Sequence, residues 1–187
     1  RDRLLIISPE DNPPLNFFAF SGDTPETTEA LLYLFSALDA SLGTFQSTLV
    51  IFVMRLLRLL PNPSIDTLRD LMTEAPKTWQ ASRYADQIRQ LDPVARSYFE
   101  TEFYSSSVKV TKDAVRRRLY ALMANPLFVS MFSAPTCCFD ALRCMDERKI
   151  VLINASRPKL GADASSVFLR FFISQSLAAA HRRTETS

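Results

Sequence analysis

Two short apolar runs near opposite ends of the sequence constrain the fold more than any other feature. The first is Leu4–Ile7, which ends at Pro9, and the second covers residues 149–154. Short apolar runs bounded by turn residues are typical of buried strands, and proline cannot continue a strand ladder. Helical periodicity dominates the chain between them. The sequence therefore predicts a mainly α fold, in which a helical bundle is inserted between two strands.

Capping residues and apolar positions with helical spacing divide the inserted block into helices. The first is predicted to begin at Pro25, after the capping residue Thr24. Further helices are predicted over residues 44–60, 64–72, 78–91, 93–103 and 111–123, and a closing helix over 163–181. Residues 44–60 are apolar around most of the circumference, which places this helix at the centre of the bundle. Helices 78–91 and 93–103 are amphipathic and are expected at the surface, while residues 138–147 fit either a helix or irregular structure.

The residue types that most enzymes need are scarce in this chain. Only 3 glycines are present, so no glycine-rich loop is available to cradle a phosphate. Cys137, Cys138 and Cys144 lack the paired spacing of a metal site, and His181 has no nearby acid or nucleophile. We therefore predict no metal site, no cofactor and no complete set of catalytic residues within this chain.

The densest positive charge lies in the helix predicted over residues 111–123 and just before it. Side chains of this kind neutralise DNA phosphates without reading the bases. The net charge of +2 is too small to decide the partner, and a solvated helix face is the alternative interpretation. The candidate DNA-binding residues are Lys109, Lys112, Arg116, Arg117 and Arg118.

Two further features allow a functional and an ordinary interpretation. Aromatic residues at 98–104 fit either base stacking or a hydrophobic core. Arg182 and Arg183 end the closing helix, where cations complement the negative end of the helix dipole. The alternative for this pair is a trans-acting catalytic role, in which an arginine reaches a nucleotide phosphate across a subunit interface.

Several short stretches of the sequence resemble a known family. Residues 5–11 and 14–18 are similar to the strand and loop that follow the phosphate-binding helix in HerA/FtsK-class ATPases, which power conjugation and type IV secretion. Residues 149–154, Leu160-Gly161 and the helix end at 179–183 resemble the stretch before their Walker B acids. Arg118-Leu119, Asn125-Pro126 and Phe128 resemble the late part of their helical insertion. The likeness extends over nearly the whole chain.

The resemblance implies an incomplete α/β P-loop ATPase domain that lacks both the Walker A and the Walker B motif. Residues 1–22 would be a strand and connector of the ATPase core, 23–135 an all-helical insertion, and 136–187 a strand and closing helix returning to the core. Without a starting methionine, the chain is expected to be an inactive segment of a longer ATPase.

That longer protein is expected to use ATP and Mg²⁺, to form a homo-oligomer such as a hexamer, and to lie in the cytoplasm or at the inner membrane. Its partners would be DNA or a secretion substrate and other secretion subunits. The rival hypothesis is a stand-alone helical protein–protein interaction domain without a nucleic-acid role.

Overall fold

The structure, a computed structural model, describes residues 3–18, 33 and 44–185. The helix predicted to begin at Pro25 lies outside the described residues. Within them the chain is mainly helical, as the sequence predicts. The elements are β1 (Leu4–Ile7), α1 (Thr44–Leu57), α2 (Ile65–Thr73), α3 (Ala85–Gln90), α4 (Pro93–Tyr98), α5 (Ser106–Met123), α6 (Pro126–Phe132), α7 (Ala141–Asp146), β2 (Ile150–Ile153), α8 (Arg157–Leu160) and α9 (Ala162–Glu185).

The two predicted strands are confirmed, and they pair directly with each other. β1 and β2 run parallel, in a register that joins Leu4 to Ile150 and Ile7 to Ile153. The backbone N–H of Asn154 continues the ladder by donating to the carbonyl of Ile7 at 2.9 Å. Parallel strands require a crossover connection, and in this chain the inserted block provides it.

The small sheet has one covered face and one open face. Ile7 is buried, and Leu5, Val151 and Ile153 pack against the hydrophobic core. The alternate residues are apolar as well, yet about half of each side chain is exposed. These four residues, which we call the open sheet face, are Leu4, Ile6, Ile150 and Leu152.

Helix α1 lies in the core, as its apolar circumference predicts. Leu49, Val53, Leu56 and Leu57 are buried on it. The helix ends at Leu57 rather than at residue 60, because the following residues form tighter turns with bonds three residues apart. None of the helices within the described ranges combines the length and the hydropathy that a bilayer crossing requires.

The helix predicted over residues 78–91 is interrupted. It consists of a 3₁₀ turn, Trp79–Ala81, and of α3. Between them, the hydroxyl of Ser82 accepts a hydrogen bond from the backbone N–H of Tyr84 at 3.0 Å. A serine side chain that bonds the local backbone competes with helical hydrogen bonding, which explains the break.

The prediction of an amphipathic surface segment over residues 93–103 is correct, since residues 93, 94, 97 and 100–102 are exposed while the apolar face is buried. Asp92 caps α4 by accepting hydrogen bonds from the N–H groups of Val94 and Ala95. The chain then continues as a π-helix, Phe99–Phe103, whose two terminal phenylalanines are completely buried. These aromatic residues belong to the core, so they do not form a stacking platform for bases.

The last part of the inserted block differs from the prediction at the start of α5 and in the helix that follows it. This helix begins at Ser106, five residues before the predicted start at 111. After α5, Asn125-Pro126 starts α6, because the Asn125 side chain accepts a hydrogen bond from the N–H of Phe128. Residues 141–146 are helical, and the closing helix α9 is longer than predicted.

Phenylalanine rings from distant segments form the centre of the core. The rings of Phe17 and Phe132 stack with centroids 4.2 Å apart and an interplanar angle of 9°. Phe171 on α9 meets both rings edge to face. The connector after β1 thus returns apolar side chains to the core and holds α6 and α9 together.

Candidate functional site

Helix α5 separates the predicted basic cluster into two groups. Lys109, Lys112 and Arg116 follow one another at spacings of three and four residues, so they share one side of the helix. All three line a cleft of about 320 Å³ between α5, the end of α2 and the end of the π-helix. Arg117 and Arg118 are not among the residues that line this cleft. The structure therefore brings only part of the predicted cluster together.

We call this depression the Lys112 cleft. Its wall combines apolar side chains with hydroxyl and charged groups. Its lining residues are Met72, Thr73, Glu74, Ala75, Phe103, Tyr104, Ser105, Ser106, Lys109, Lys112, Asp113 and Arg116.

Lys112 is buried, although sequence patterning predicts it on a positive surface. Only 8% of the residue is exposed. Its Nζ donates to the backbone carbonyl of Glu74 at 2.8 Å and lies 4.1 Å from the centroid of the Phe103 ring. An ammonium over an aromatic face is attracted by the negative charge of the ring face. This lysine is thus held at the inner wall of the cleft.

Burial lowers the pKa of Lys112 from 10.5 to about 8, because a charged ammonium loses hydration in this position. The carboxylates of Glu74 and Asp113 oppose this effect by favouring the charged form, while Arg116 adds to it. The amine is mostly protonated at neutral pH, but it titrates well below an exposed lysine.

The carboxylate of Glu74 is fixed by other partners. Its Oε1 accepts a hydrogen bond from the backbone N–H of Arg83, and its Oε2 accepts one from the Ser82 hydroxyl, both at 2.7 Å. The Tyr104 hydroxyl lies 3.1 Å from the same Oε2 and 2.8 Å from Ser82 Oγ. Burial raises the pKa of Tyr104, so this phenol remains a donor. Lys112 therefore contacts the backbone of Glu74, whereas the side-chain oxygens are engaged elsewhere.

The remaining basic residues of α5 are more accessible. Lys109 and Arg117 are exposed, and Arg116 and Arg118 are half-buried. Arg116 forms a salt bridge with Asp113 at 2.9 Å, while Nε of Arg117 donates to the backbone carbonyl of Asp113. These side chains can bind an extended anion directly from solvent. Lys112 can contact an anion only through the cleft.

Arg182 and Arg183 lie in the last turn of α9, as the sequence predicts. Nε of Arg183 is 3.6 Å from Oδ1 of Asp146, which connects the end of α9 to the end of α7. Both side chains of this pair are more than half exposed, so the ion pair contributes little stability.

The carboxyl edge of the sheet is where open α/β folds usually bind ligands. Here the side chain of Asn154 donates to Ser8 Oγ at 3.2 Å, and Lys159 lies 3.6 Å from Glu10. The N–H of Gly161, which has a φ of 79°, donates back to Arg157 at 2.8 Å. This turn closes on itself and does not present its amide to a phosphate. The Gly161 turn therefore does not have the geometry of a phosphate-binding loop.

Metal-binding groups are not clustered in the parts of the chain that the structure describes. No three His, Cys, Asp or Glu side chains there lie close enough to hold a metal ion. Cys137, Cys138 and Cys144 are free, and burial raises the pKa of each thiol. Their reactivity as thiolates is correspondingly low.

Sequence reasoning missed the residues that shape the Lys112 cleft from outside α5. Glu74 contacts Lys112 across 38 positions of sequence, and no local pattern connects them. The sequence shows Tyr104 only as one of the aromatic residues at 98–104. The one available signal was the lysine itself, which lies in line with the apolar residues Val115 and Leu119 on α5.

Comparison with protein-family models, curated proteins and solved structures gives no match.

Proposed function

We propose that this chain is the helical segment of a DNA- or protein-translocating motor ATPase of the conjugation or type IV secretion class. The parallel pairing of β1 with β2 carries the proposal, because the helical block is inserted between two neighbouring strands. All-parallel sheets normally have both faces covered and more strands than two. The open sheet face is apolar, which fits a sheet whose second face is covered by elements from the rest of such an ATPase.

In this role, the outer side of α5 would contact the backbone of DNA. Lys109 and Arg117 are exposed on it, and Arg116 and Arg118 are half-buried beside them. Cations of this kind bind phosphates without sequence preference, with an affinity that falls steeply with salt. The whole protein would hydrolyse ATP with Mg²⁺ as an oligomer in the cytoplasm or at the inner membrane, using groups outside this segment.

The test is fluorescence anisotropy of labelled single- and double-stranded DNA over a salt series. The double variant Lys109→Gln/Arg117→Gln should lower the affinity for all sequences and reduce the salt slope by about 2, one for each lost phosphate contact. Arg143→Gln on α7 is the matched control, since its side chain is also highly exposed. An equal loss in the control, or a loss for one sequence only, would contradict backbone contact by α5.

For the longer ATPase we propose that Arg182 or Arg183 contacts the nucleotide of a neighbouring subunit. Replacing each by alanine in that protein should lower ATP turnover while nucleotide binding is kept. Full turnover in both variants would remove this part of the proposal.

The alternative function is a helical protein–protein interaction domain, and a second apolar surface favours it. Leu169, Ile173 and Leu177 follow one another at spacings of four residues along α9 and are 41–52% exposed. Exposed apolar stripes of this kind are typical of docking surfaces. No DNA binding even at low salt would favour this alternative over the translocase segment.

A further inference from the structure

The Lys112 cleft has the size and composition of a small-molecule site. Its volume of about 320 Å³ is at the lower end of the range for ligand pockets, which suits a ligand of one ring or similar size. Met72, Ala75 and Phe103 supply apolar wall on one side. Lys109, Lys112 and Arg116 supply cations on another. The pocket is therefore amphiphilic.

Lys112 has hydrogen-bonding capacity that the surrounding protein does not use. An ammonium carries three N–H donors. Among the described residues, its one hydrogen bond goes to the carbonyl of Glu74, which leaves two donors for a ligand. Because the residue is more than nine-tenths buried, bulk water compensates poorly for the missing acceptors. A buried cation with free donors at the wall of a cleft is a ready partner for an anion.

The carboxylates near the cleft are already bound by other groups of the protein. Glu74 directs its oxygens to Ser82, Tyr104 and the backbone of Arg83. Asp113 is neutralised by its salt bridge with Arg116 at 2.9 Å. Lys109 and Lys112 thus remain as the two charges of the cleft that no carboxylate pairs directly among the described residues.

The hydroxyl groups add neutral donors at the start of α5. Ser105 and Ser106 line the cleft, and the first backbone N–H groups of α5 begin at this end. The positive end of the helix dipole favours negative charge here, in addition to the lysines. The helix end only strengthens a site that the buried lysine and the cavity already define.

We propose that the Lys112 cleft binds a small phosphate monoester, with the phosphate between Lys112 and Lys109 and an apolar group of one-ring size against Met72 and Phe103. A doubly charged phosphate matches two unpaired lysines better than a singly charged carboxylate does. This site shares Lys109 and Arg116 with the outer side of α5, but it is centred on the buried Lys112 and does not depend on DNA binding.

The test uses phenyl phosphate as the probe, with inorganic phosphate and phenol as the two halves of the same molecule. Isothermal titration calorimetry should show phenyl phosphate binding at least about tenfold more tightly than either half, because both parts of the cleft contribute. Equal affinities for phenyl phosphate and inorganic phosphate would overturn the apolar subsite. No detectable binding of phenyl phosphate at millimolar concentration would overturn the whole proposal.

Variants then identify the residues responsible. Lys112→Met should weaken phenyl phosphate binding by at least about tenfold, since a charge-assisted hydrogen bond is lost. Arg117→Gln is the matched control on the same helix, and it should leave this affinity unchanged. If Lys112→Met does not fold by circular dichroism, Lys109→Gln takes its place, with a loss of about threefold or more. Unchanged affinity in the folded lysine variant would overturn the assignment.

The pH dependence supplies an independent readout. Phosphate monoesters stay doubly charged above about pH 7, whereas Lys112, with its pKa near 8, loses its proton between pH 7 and 9.5. The charged groups around it are Glu74, Asp113, Arg116 and Lys109, with Tyr104 on the wall. Affinity should fall about tenfold or more across this interval, and Lys109→Gln should retain the fall. A flat profile would contradict a role for the Lys112 ammonium.

Discussion

The side-chain amide of Asn16 donates a hydrogen bond to the backbone carbonyl of Pro63 at 2.9 Å, and this bond crosses 47 positions of sequence. The same Nδ2 lies 3.1 Å from the carbonyl of Ala134, and Oδ1 accepts from the N–H of Phe18 at 2.8 Å. Only 2% of Asn16 is exposed. One buried amide therefore ties the connector after β1 to the links that follow α1 and α6.

Asn16→Ala should lower the free energy of unfolding by about 2–4 kcal/mol, because buried carbonyl groups lose their donor. Urea denaturation followed by circular dichroism measures the change. Gln80→Ala is the control, since Gln80 is an exposed amide in a short turn, and its effect should remain below about 0.5 kcal/mol. Similar losses in both variants would show that Asn16 does not connect the segments.

Leu56 and Phe52 on α1 provide a test of which face of this helix is buried. Leu56 is completely buried, whereas Phe52 is half-buried and stacks on Tyr98 with ring centroids 4.5 Å apart. Leu56→Ala should cost about 3–5 kcal/mol through the cavity it leaves. Phe52→Ala should cost only about 1–2 kcal/mol, from the lost aromatic contact and partial burial. A larger loss for Phe52, measured by thermal unfolding, would reverse the assignment of the faces.

Neighbouring isoleucines of β1 distinguish the two faces of the sheet. Ile7 is 3% exposed and Ile6 is 58% exposed. Ile7→Thr should lower the free energy of unfolding by about 2 kcal/mol or more, since it puts a hydroxyl into the core. Ile6→Thr should change stability by less than about 0.5 kcal/mol and should reduce self-association in light scattering. Equal destabilisation would mean that the open sheet face is covered.

The lowered pKa of Lys112 predicts how stability depends on pH. Between pH 8 and 10.5 the unfolded chain keeps the proton that the folded chain has lost. The free energy of unfolding of the wild type, compared with Lys112→Met, should therefore rise by on the order of 2 kcal/mol from pH 7.5 to 9.5. The destabilisation that comes from burying the charged Lys112 is fully present below pH 8 and disappears as the pH rises toward 10.5.

Ionisation of the buried tyrosines changes the free energy of unfolding in the opposite direction to ionisation of Lys112. Burial raises the pKa of Tyr104 and of Tyr84, so their phenols ionise first in the unfolded chain, and stability falls above about pH 10. The comparison of the wild type with Lys112→Met is therefore limited to pH 9.5 and below. Because the variant retains the tyrosines, subtracting its free energy of unfolding removes their contribution. A difference that does not change with pH would contradict the burial of an ionisable amine at position 112.

The strands and the best-capped helices could be predicted from sequence because their signals are local. Leu4–Ile7 is apolar and ends before Pro9, and Asp92-Pro93 combines a cap with a proline at the first helical position. The early start of α5 was missed, since residues 106–110 show no apolar period. Asn125-Pro126 starts α6, since asparagine caps the helix and proline occupies its first position.

The candidate site was predictable only in part. A run of cations indicates a charged helix, and α5 carries all of them. Whether a lysine faces water or an aromatic ring depends on which distant segment packs over it. For Lys112 these contacts are with Phe103 and the backbone of Glu74, and tertiary packing determines both. The same limit applies to Phe99, whose burial follows from packing that no local pattern reveals.

The direct pairing of β1 with β2 has a consequence for how the chain is made. Ser8 and Asn154, at the ends of the paired strands, are separated by 146 positions, so the ribosome releases β1 long before its partner exists. Closing so long a loop costs conformational entropy, and contacts of high sequence separation form slowly. Until then β1, which carries the apolar Leu4 and Ile6, lacks β2 as a partner, and exposed apolar strands are prone to aggregate. Chaperones that hold extended apolar segments would therefore act on β1 until synthesis passes β2.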